Sequence, residues 1–200
     1  MKTTRVALLT LALLSLPGLA FSAAGFYVGT GAGIAFPSIY GEFSDQLQPD
    51  YGFAWEPIHL GYNFTDYFGL SMQLGTAAGE TEYSSDVLWS QDYLDFSARI
   101  IFNAGGAVEP YSELGVGAYV LTFMDNETTV TSDPEPGIRI ATGANINLGH
   151  LYLAPEVSYH YVKYSRAEVD EEGFGKYDIQ FDEAGEMVLF LFKVGYQWGD

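Results

Sequence analysis

From Met187 to Trp198 the chain reads Met-Val-Leu-Phe-Leu-Phe-Lys-Val-Gly-Tyr-Gln-Trp. One parity, Val188, Phe190, Phe192, Val194, Tyr196 and Trp198, is apolar or aromatic throughout. The other parity carries Lys193, Gly195 and Gln197. Successive side chains on a strand point to opposite faces, so the spacing predicts a strand with an unbroken apolar face and a mixed face that holds a charge. A soluble sheet buries its apolar face in a core. An apolar face turned to lipid, with Lys193 turned to a polar lumen, suits a strand of a transmembrane barrel.

Seven earlier segments alternate in the same way, at about residues 25–36, 53–64, 68–78, 88–103, 110–124, 137–148 and 152–164. The sixth is the cleanest: Ile138, Ile140, Thr142, Ala144, Ile146 and Leu148 oppose Arg139, Ala141, Gly143, Asn145 and Asn147. In the second, Trp55-Glu56-Pro57 breaks parity and marks a bulge. The period is 2 rather than 3.6, which excludes a helical reading. Connections after segments two, four and six are short (65–67, 104–109, 149–151), whereas those after one, three, five and seven are long (37–52, 79–87, 125–136, 165–184). Short turns at one end and long loops at the other predict an all-β, eight-stranded antiparallel up-and-down transmembrane β-barrel with short periplasmic turns and long extracellular loops.

The N-terminus fits export. Met1-Lys2-Thr3-Thr4-Arg5 is a short basic region, Val6 to Leu16 is an apolar run, and Pro17-Gly18 breaks it before small residues. This predicts a secretory signal peptide over residues 1–22, cut between 20 and 24, and a barrel over 23–200. There is no cysteine, so disulfides play no part. With 26 acids against 8 bases and a net charge of −18, a nucleic-acid partner is excluded, because that surface needs clustered Lys and Arg.

Four stretches carry a family resemblance: Gly25-Phe-Tyr-Val-Gly-Thr-Gly-Ala-Gly33, Leu60-Gly-Tyr-Asn-Phe-Thr-Asp66, Pro110-Tyr-Ser-Glu-Leu-Gly-Val-Gly117 and Val194-Gly-Tyr-Gln-Trp198. On these the chain resembles the small eight-stranded outer-membrane β-barrels, similar to the membrane domain of outer membrane protein A and to opacity-type, porin-family barrels. The resemblance implies residence in a Gram-negative outer membrane, in contact with its lipid and lipopolysaccharide. It also implies handling by periplasmic chaperones and the barrel-assembly machinery, which reads an aromatic-terminated last strand, here Tyr196 and Trp198. Gly199-Asp200 follow that pair and depart from the family ending.

Sorting charges by face yields the candidate site. Inward positions hold Asp95, Glu113 and Glu156, the bases Arg99, Arg139 and Lys193, and the polar His59 and His160. An eight-stranded barrel has an interior just wide enough for side chains to fill, and an unpaired buried charge costs several kcal/mol, so the six charges are expected to pair into a lumen plug. A gated ion path is the competing reading. The long loops hold most of the acids, including Asp170-Glu171-Glu172 and Asp182-Glu183, with only Arg166 and Lys176 as bases. This reads as a solvated, repulsive surface, with divalent cations at the acidic loops as the sharper alternative.

Catalysis would need a nucleophile, a base and an orienting carboxylate; Ser158, His160 and Glu156 are the nearest set, but all share the inward parity. No nucleotide, zinc or thiol motif is present, so no metal and no cofactor is expected. Two aromatic girdles at the lipid headgroups are expected, Tyr62, Phe64, Phe68, Phe102, Tyr152, Tyr196 and Trp198 at one edge and Phe36, Trp55, Trp89, Tyr159 and Tyr161 at the other. The leading function is a structural or surface-interaction role, with adhesion through the acidic loops. A narrow channel comes second, and a lipid-modifying enzyme third.

Overall fold

The computed structural model describes residues 25–41, 47–82, 84 and 86–198. The expected signal peptide and its cleavage point and the Gly199-Asp200 ending lie outside the described residues. Among the described residues there are nine strands: β1 (Gly25–Tyr40), β2 (Pro49–Asn63), β3 (Phe68–Thr81), β4 (Leu88–Ile101), β5 (Val108–Met124), β6 (Thr128–Ser132), β7 (Glu135–Leu148), β8 (Leu151–Glu171) and β9 (Gly175–Trp198). All pairs are antiparallel, and eight strands close a ring in the order β1-β2-β3-β4-β5-β7-β8-β9. The ring shuts where β1 meets β9, from Phe26 opposite Trp198 to Tyr40 opposite Ala184. Closure leaves no unpaired edge within the barrel wall.

Two expected loops are largely strand. Residues 165–184 continue β8 and β9 as a hairpin, paired as far as Glu171 opposite Gly175. The 125–136 connection contains β6, which bonds to β5 on one side and to β8 on the other. A sheet extension of β6, β8 and β9 therefore stands above the ring at its loop end. The opposite end has tight connections. Between β7 and β8 only Gly149 and His150 intervene, and Gly149 has φ +75°, as the first position of a primed two-residue hairpin turn requires.

Side-chain orientation follows the alternation. Phe190, Phe192 and Val194 are exposed on the outer face, whereas Met187, Leu189, Leu191 and Lys193 are buried inside. Two girdle assignments are corrected: Trp89 and Tyr152 are buried and point inward, because each lies on the luminal parity of its own strand. Phe36, Trp55, Tyr62, Phe64, Phe102 and Trp198 do face outward.

Small residues let the closing strands approach. A Cβ at Gly33 would press on the Phe190 carbonyl oxygen and lie 2.8 Å from its carbonyl carbon. Both atoms are backbone, so no side-chain movement relieves the contact. Gly33→Ala is expected to cost about 1–3 kcal/mol by overpacking the closing seam. The measurement is the urea midpoint of the folded band in detergent gels; a wild-type midpoint would contradict the account.

Candidate functional site

The lumen is filled in three tiers. At the loop end, Ile39, Trp89, Leu121, Phe123, Tyr164, Phe181, Met187 and Leu189 join one buried apolar cluster, against which Leu47, Val130 and Ile179 pack. At the turn end, Tyr27, Ile101, Tyr111, Tyr152 and Ala154 form a second cluster. The charged residues lie between them.

The middle tier is a chain of alternating charge. Arg139 on β7 bridges two acids with its fork, Nη1 at 2.5 Å from Glu113 and Nη2 at 2.6 Å from Glu156. Glu113 on β5 also faces Arg99 Nε at 3.6 Å and accepts from Gln73 Nε2 at 3.1 Å. Glu156 on β8 accepts from Lys193 Nζ at 2.9 Å and from the Tyr111 hydroxyl at 2.8 Å. Lys193 on β9 lies at the same distance, 2.9 Å, from Glu56 on β2. The order across the barrel is Arg99, Glu113, Arg139, Glu156, Lys193, Glu56, three bases interleaved with three acids. Arg99 is sandwiched between rings, its guanidinium carbon 3.7 Å from the Tyr111 centroid and 5.1 Å from that of Tyr27. It also donates to Asn145 Oδ1 at 3.0 Å. Each of these six charged side chains is at most 3 % exposed, so their mutual contacts replace water.

Glu56 was not among the inward acids read from the sequence, and it enters by a bulge. On β2, Trp55 pairs Thr76 but Ile58 pairs Leu74, so one extra residue is inserted. Parity flips across Pro57: Ala54 and Glu56 face inward above it, His59 below it. A regular strand would put Glu56 and His59 on opposite faces. The parity break at Trp55-Glu56-Pro57 was the signal.

Asp95, by contrast, stands apart from the arginines. Its Oδ1 accepts the Tyr119 hydroxyl at 2.5 Å, and its Oδ2 lies 3.7 Å from His160 Nδ1. His160 Nδ1 is 3.2 Å from the Tyr119 oxygen, and its Nε2 is 3.0 Å from Ser158 Oγ. A serine, a histidine and an aspartate are thus aligned as in an acyl-transfer triad, with Asp95 in the place considered for Glu156. Ser158 and His160 are each 1 % exposed, so the cluster is a packed hydrogen-bond network inside the lumen. Tyr119→Phe would leave Asp95 buried without its donor and is expected to cost about 1–3 kcal/mol. Thermal loss of the folded band measures this; a cost near zero would mean that water replaces the hydroxyl.

His59 is buried, its Nδ1 3.9 Å from Glu56 Oε1 and its ring edge-on to Tyr27 at 5.2 Å. At the turn end, the rings of Tyr196 and Trp198 meet at a tilt with centroids 4.7 Å apart, Phe26 adds a ring 5.4 Å from Trp198, and His150 stacks on Tyr196 at 5.5 Å. A cavity of about 380 Å³, lined by Asn63, Asp66, Ile101, Glu109, Asn147 and His150 among others, forms the shallow mouth there. On the extension, Lys176 pairs with Glu168 at 2.6 Å and Asp170 at 3.7 Å, and Lys163 pairs with Asp182 at 3.1 Å. Among the described residues no group of three or more carboxylates or histidines is placed to hold a metal ion.

A closed eight-stranded ring with an apolar exterior and a charged, filled interior has a counterpart among known families. The outer membrane protein beta-barrel domain matches residues 6–192. The chain belongs to that family. It is thus an outer-membrane β-barrel, and the turn and loop ends are its periplasmic and extracellular ends. Neisserial surface protein A is similar at 16 % identity, with a TM-score of 0.58 over 86 % of this chain and 96 % of that one. The outer membrane protein OprG from Pseudomonas aeruginosa is similar at 15 % identity, with a TM-score of 0.58 over 90 % and 98 %. A major outer membrane protein from Thermus thermophilus is similar at 14 % identity, with a TM-score of 0.59 over 88 % and 100 %. At such identities these structures speak for the fold alone. No curated protein matches the sequence.

Proposed function

We propose that this outer-membrane barrel is a structural and surface-contact protein whose lumen is closed and whose acidic extracellular extension meets the surroundings. The observation that carries this reading is the filled interior. An unbroken six-membered charge chain crosses the lumen between Arg99 and Glu56, and an apolar cluster around Leu189 and Phe123 lies above it. An ion on its way through would have to strip its hydration against that apolar tier and then break pairs that are buried and mutually bonded. Catalysis is disfavoured by the burial of Ser158 and His160.

The same reading has the leader removed during export, Tyr196 and Trp198 presented to the barrel-assembly machinery after escort by periplasmic chaperones, and the outer face in contact with lipid and lipopolysaccharide. Solute uptake into proteoliposomes tests closure. Vesicles carrying the folded protein are expected to swell in ionic and sugar solutions no faster than protein-free vesicles. Rapid swelling supports the narrow-channel reading instead.

A further inference from the structure

We infer that the β9 edge from Gly175 to Gln180, above the barrel, is a strand-addition site for an extended protein segment with alternating apolar and basic residues. The inference deepens the surface-contact reading and rests on it. β9 pairs with β8 as far as Gly175, but with β1 only as far as Ala184. Over residues 175–180, therefore, β9 has a strand on one side only among the described residues. In an antiparallel ladder, alternate residues turn both backbone groups away from a given neighbour, so this edge offers unused N–H and C=O groups. Six residues at about 3.3 Å each make a template roughly 20 Å long.

Edges of this kind are usually blunted by proline, a bulge or a lysine. No proline lies between Gly175 and Gln180, and the β8–β9 irregularity falls lower, at Tyr164/Arg166. Lys176, the one lysine available as guard, is turned to Glu168 and Asp170. The edge is also held in place from behind: β6 pairs with β8 from Thr128 opposite Glu171 to Ser132 opposite Ala167, and the Glu172 N–H donates to the Glu127 carbonyl at 2.8 Å.

The two faces define the guest. Ile179 packs toward the apolar cluster and Tyr177 shares its parity, so a strand added here would set apolar side chains beside them. The other parity carries Lys176, whose charge Glu168 and Asp170 take up, together with Gln180 and Asp178, and Asp178 has no basic partner within 4 Å among the described residues; the hairpin also carries Glu171 and Glu172. A basic residue on the guest strand would lie across from Asp178, an opposite-charge cross-strand pair. Phe174 at the hairpin tip is 83 % exposed and gives the guest an apolar end stop. Backbone bonds supply affinity and the alternating side chains supply register, as in other strand-addition complexes.

The test uses the full folded protein in lipid nanodiscs and a fluorescent eight-residue peptide of alternating lysine and valine. Two further versions are N-methylated, on the odd or on the even residues. Strand addition bonds one edge of the guest, so one methylation register should weaken binding by about tenfold or more while the other leaves it within about threefold. Asp178→Lys should weaken the unmethylated peptide by a similar factor, and the peptide should slow amide exchange over residues 176–180. Equal binding of all three peptides would mean charge attraction alone and would overturn the proposal. So would no binding at 1 mM peptide, or these amides being fully protected in the free protein. None of these results bears on lumen closure, which solute uptake reads separately.

Discussion

Replacing Arg139 by methionine is expected to remove about 3–5 kcal/mol of stability, the usual cost of breaking a buried ion pair on one side. The size follows from position. Arg139 joins Glu113 and Glu156 through separate nitrogens, and its Nη1 also reaches Ser97 Oγ at 3.3 Å. Methionine fills much of the volume, so the loss is electrostatic rather than a cavity effect. Two carboxylates then remain inside with less than their native compensation: Glu113 keeps Arg99 and Gln73, and Glu156 keeps Lys193 and Tyr111. Urea unfolding in lipid vesicles, followed by tryptophan fluorescence, gives the number. The double variant Arg139→Met, Glu156→Gln should recover part of the loss, because it leaves Arg99 paired with Glu113 and Lys193 paired with Glu56. Wild-type stability in the single variant would mean that water already solvates these acids.

Lys193→Ala is expected to cost about 3–5 kcal/mol by the same mechanism, with a different pattern of rescue. Its ammonium lies 2.9 Å from Glu56 and 2.9 Å from Glu156. Glu156 retains Arg139, but among the described residues no other base lies within 4 Å of Glu56 apart from the neighbouring His59, 3.9 Å away. Glu56 is therefore the acid most exposed to the loss. Glu56→Gln in the Lys193→Ala background should restore more stability than Glu156→Gln does. Thermal loss of the folded gel band ranks the variants, and equal rescue by the two glutamines would contradict the chain order drawn here.

The wall of the barrel was legible because a strand's period of 2 leaves little choice. Once Phe190 and Phe192 face lipid, Lys193 must face the lumen, and the same logic placed Arg99, Glu113, Arg139 and Glu156. It failed where the period failed. Glu56 became luminal through one inserted residue near Pro57, and parity counted from His59 puts it on the wrong face. Tyr152 and Trp89 were assigned to girdles by chemistry, although their parity already placed them inside.

The partners of Asp95 were illegible for another reason. Tyr119 reaches it diagonally from the adjacent β5, two residues from Gly117 opposite Asp95, and His160 reaches it across the lumen from β8; no local pattern encodes which side chain crosses a lumen. The extension was hidden by its acids. Asp170-Glu171-Glu172 reads as solvated loop, yet Tyr177, Ile179 and Phe181 alternate with Asp178, Gln180 and Asp182, the strand signal in a charged disguise.

Planar-bilayer recording of the folded wild-type protein tests the central claim, a closed lumen, most directly. The filled charge chain and the apolar tier above it predict a flat baseline, without discrete openings beyond those of the protein-free bilayer. A steady open level in wild type would contradict it, because no ion passes a lumen in which Arg139, Glu156 and Lys193 are engaged as described.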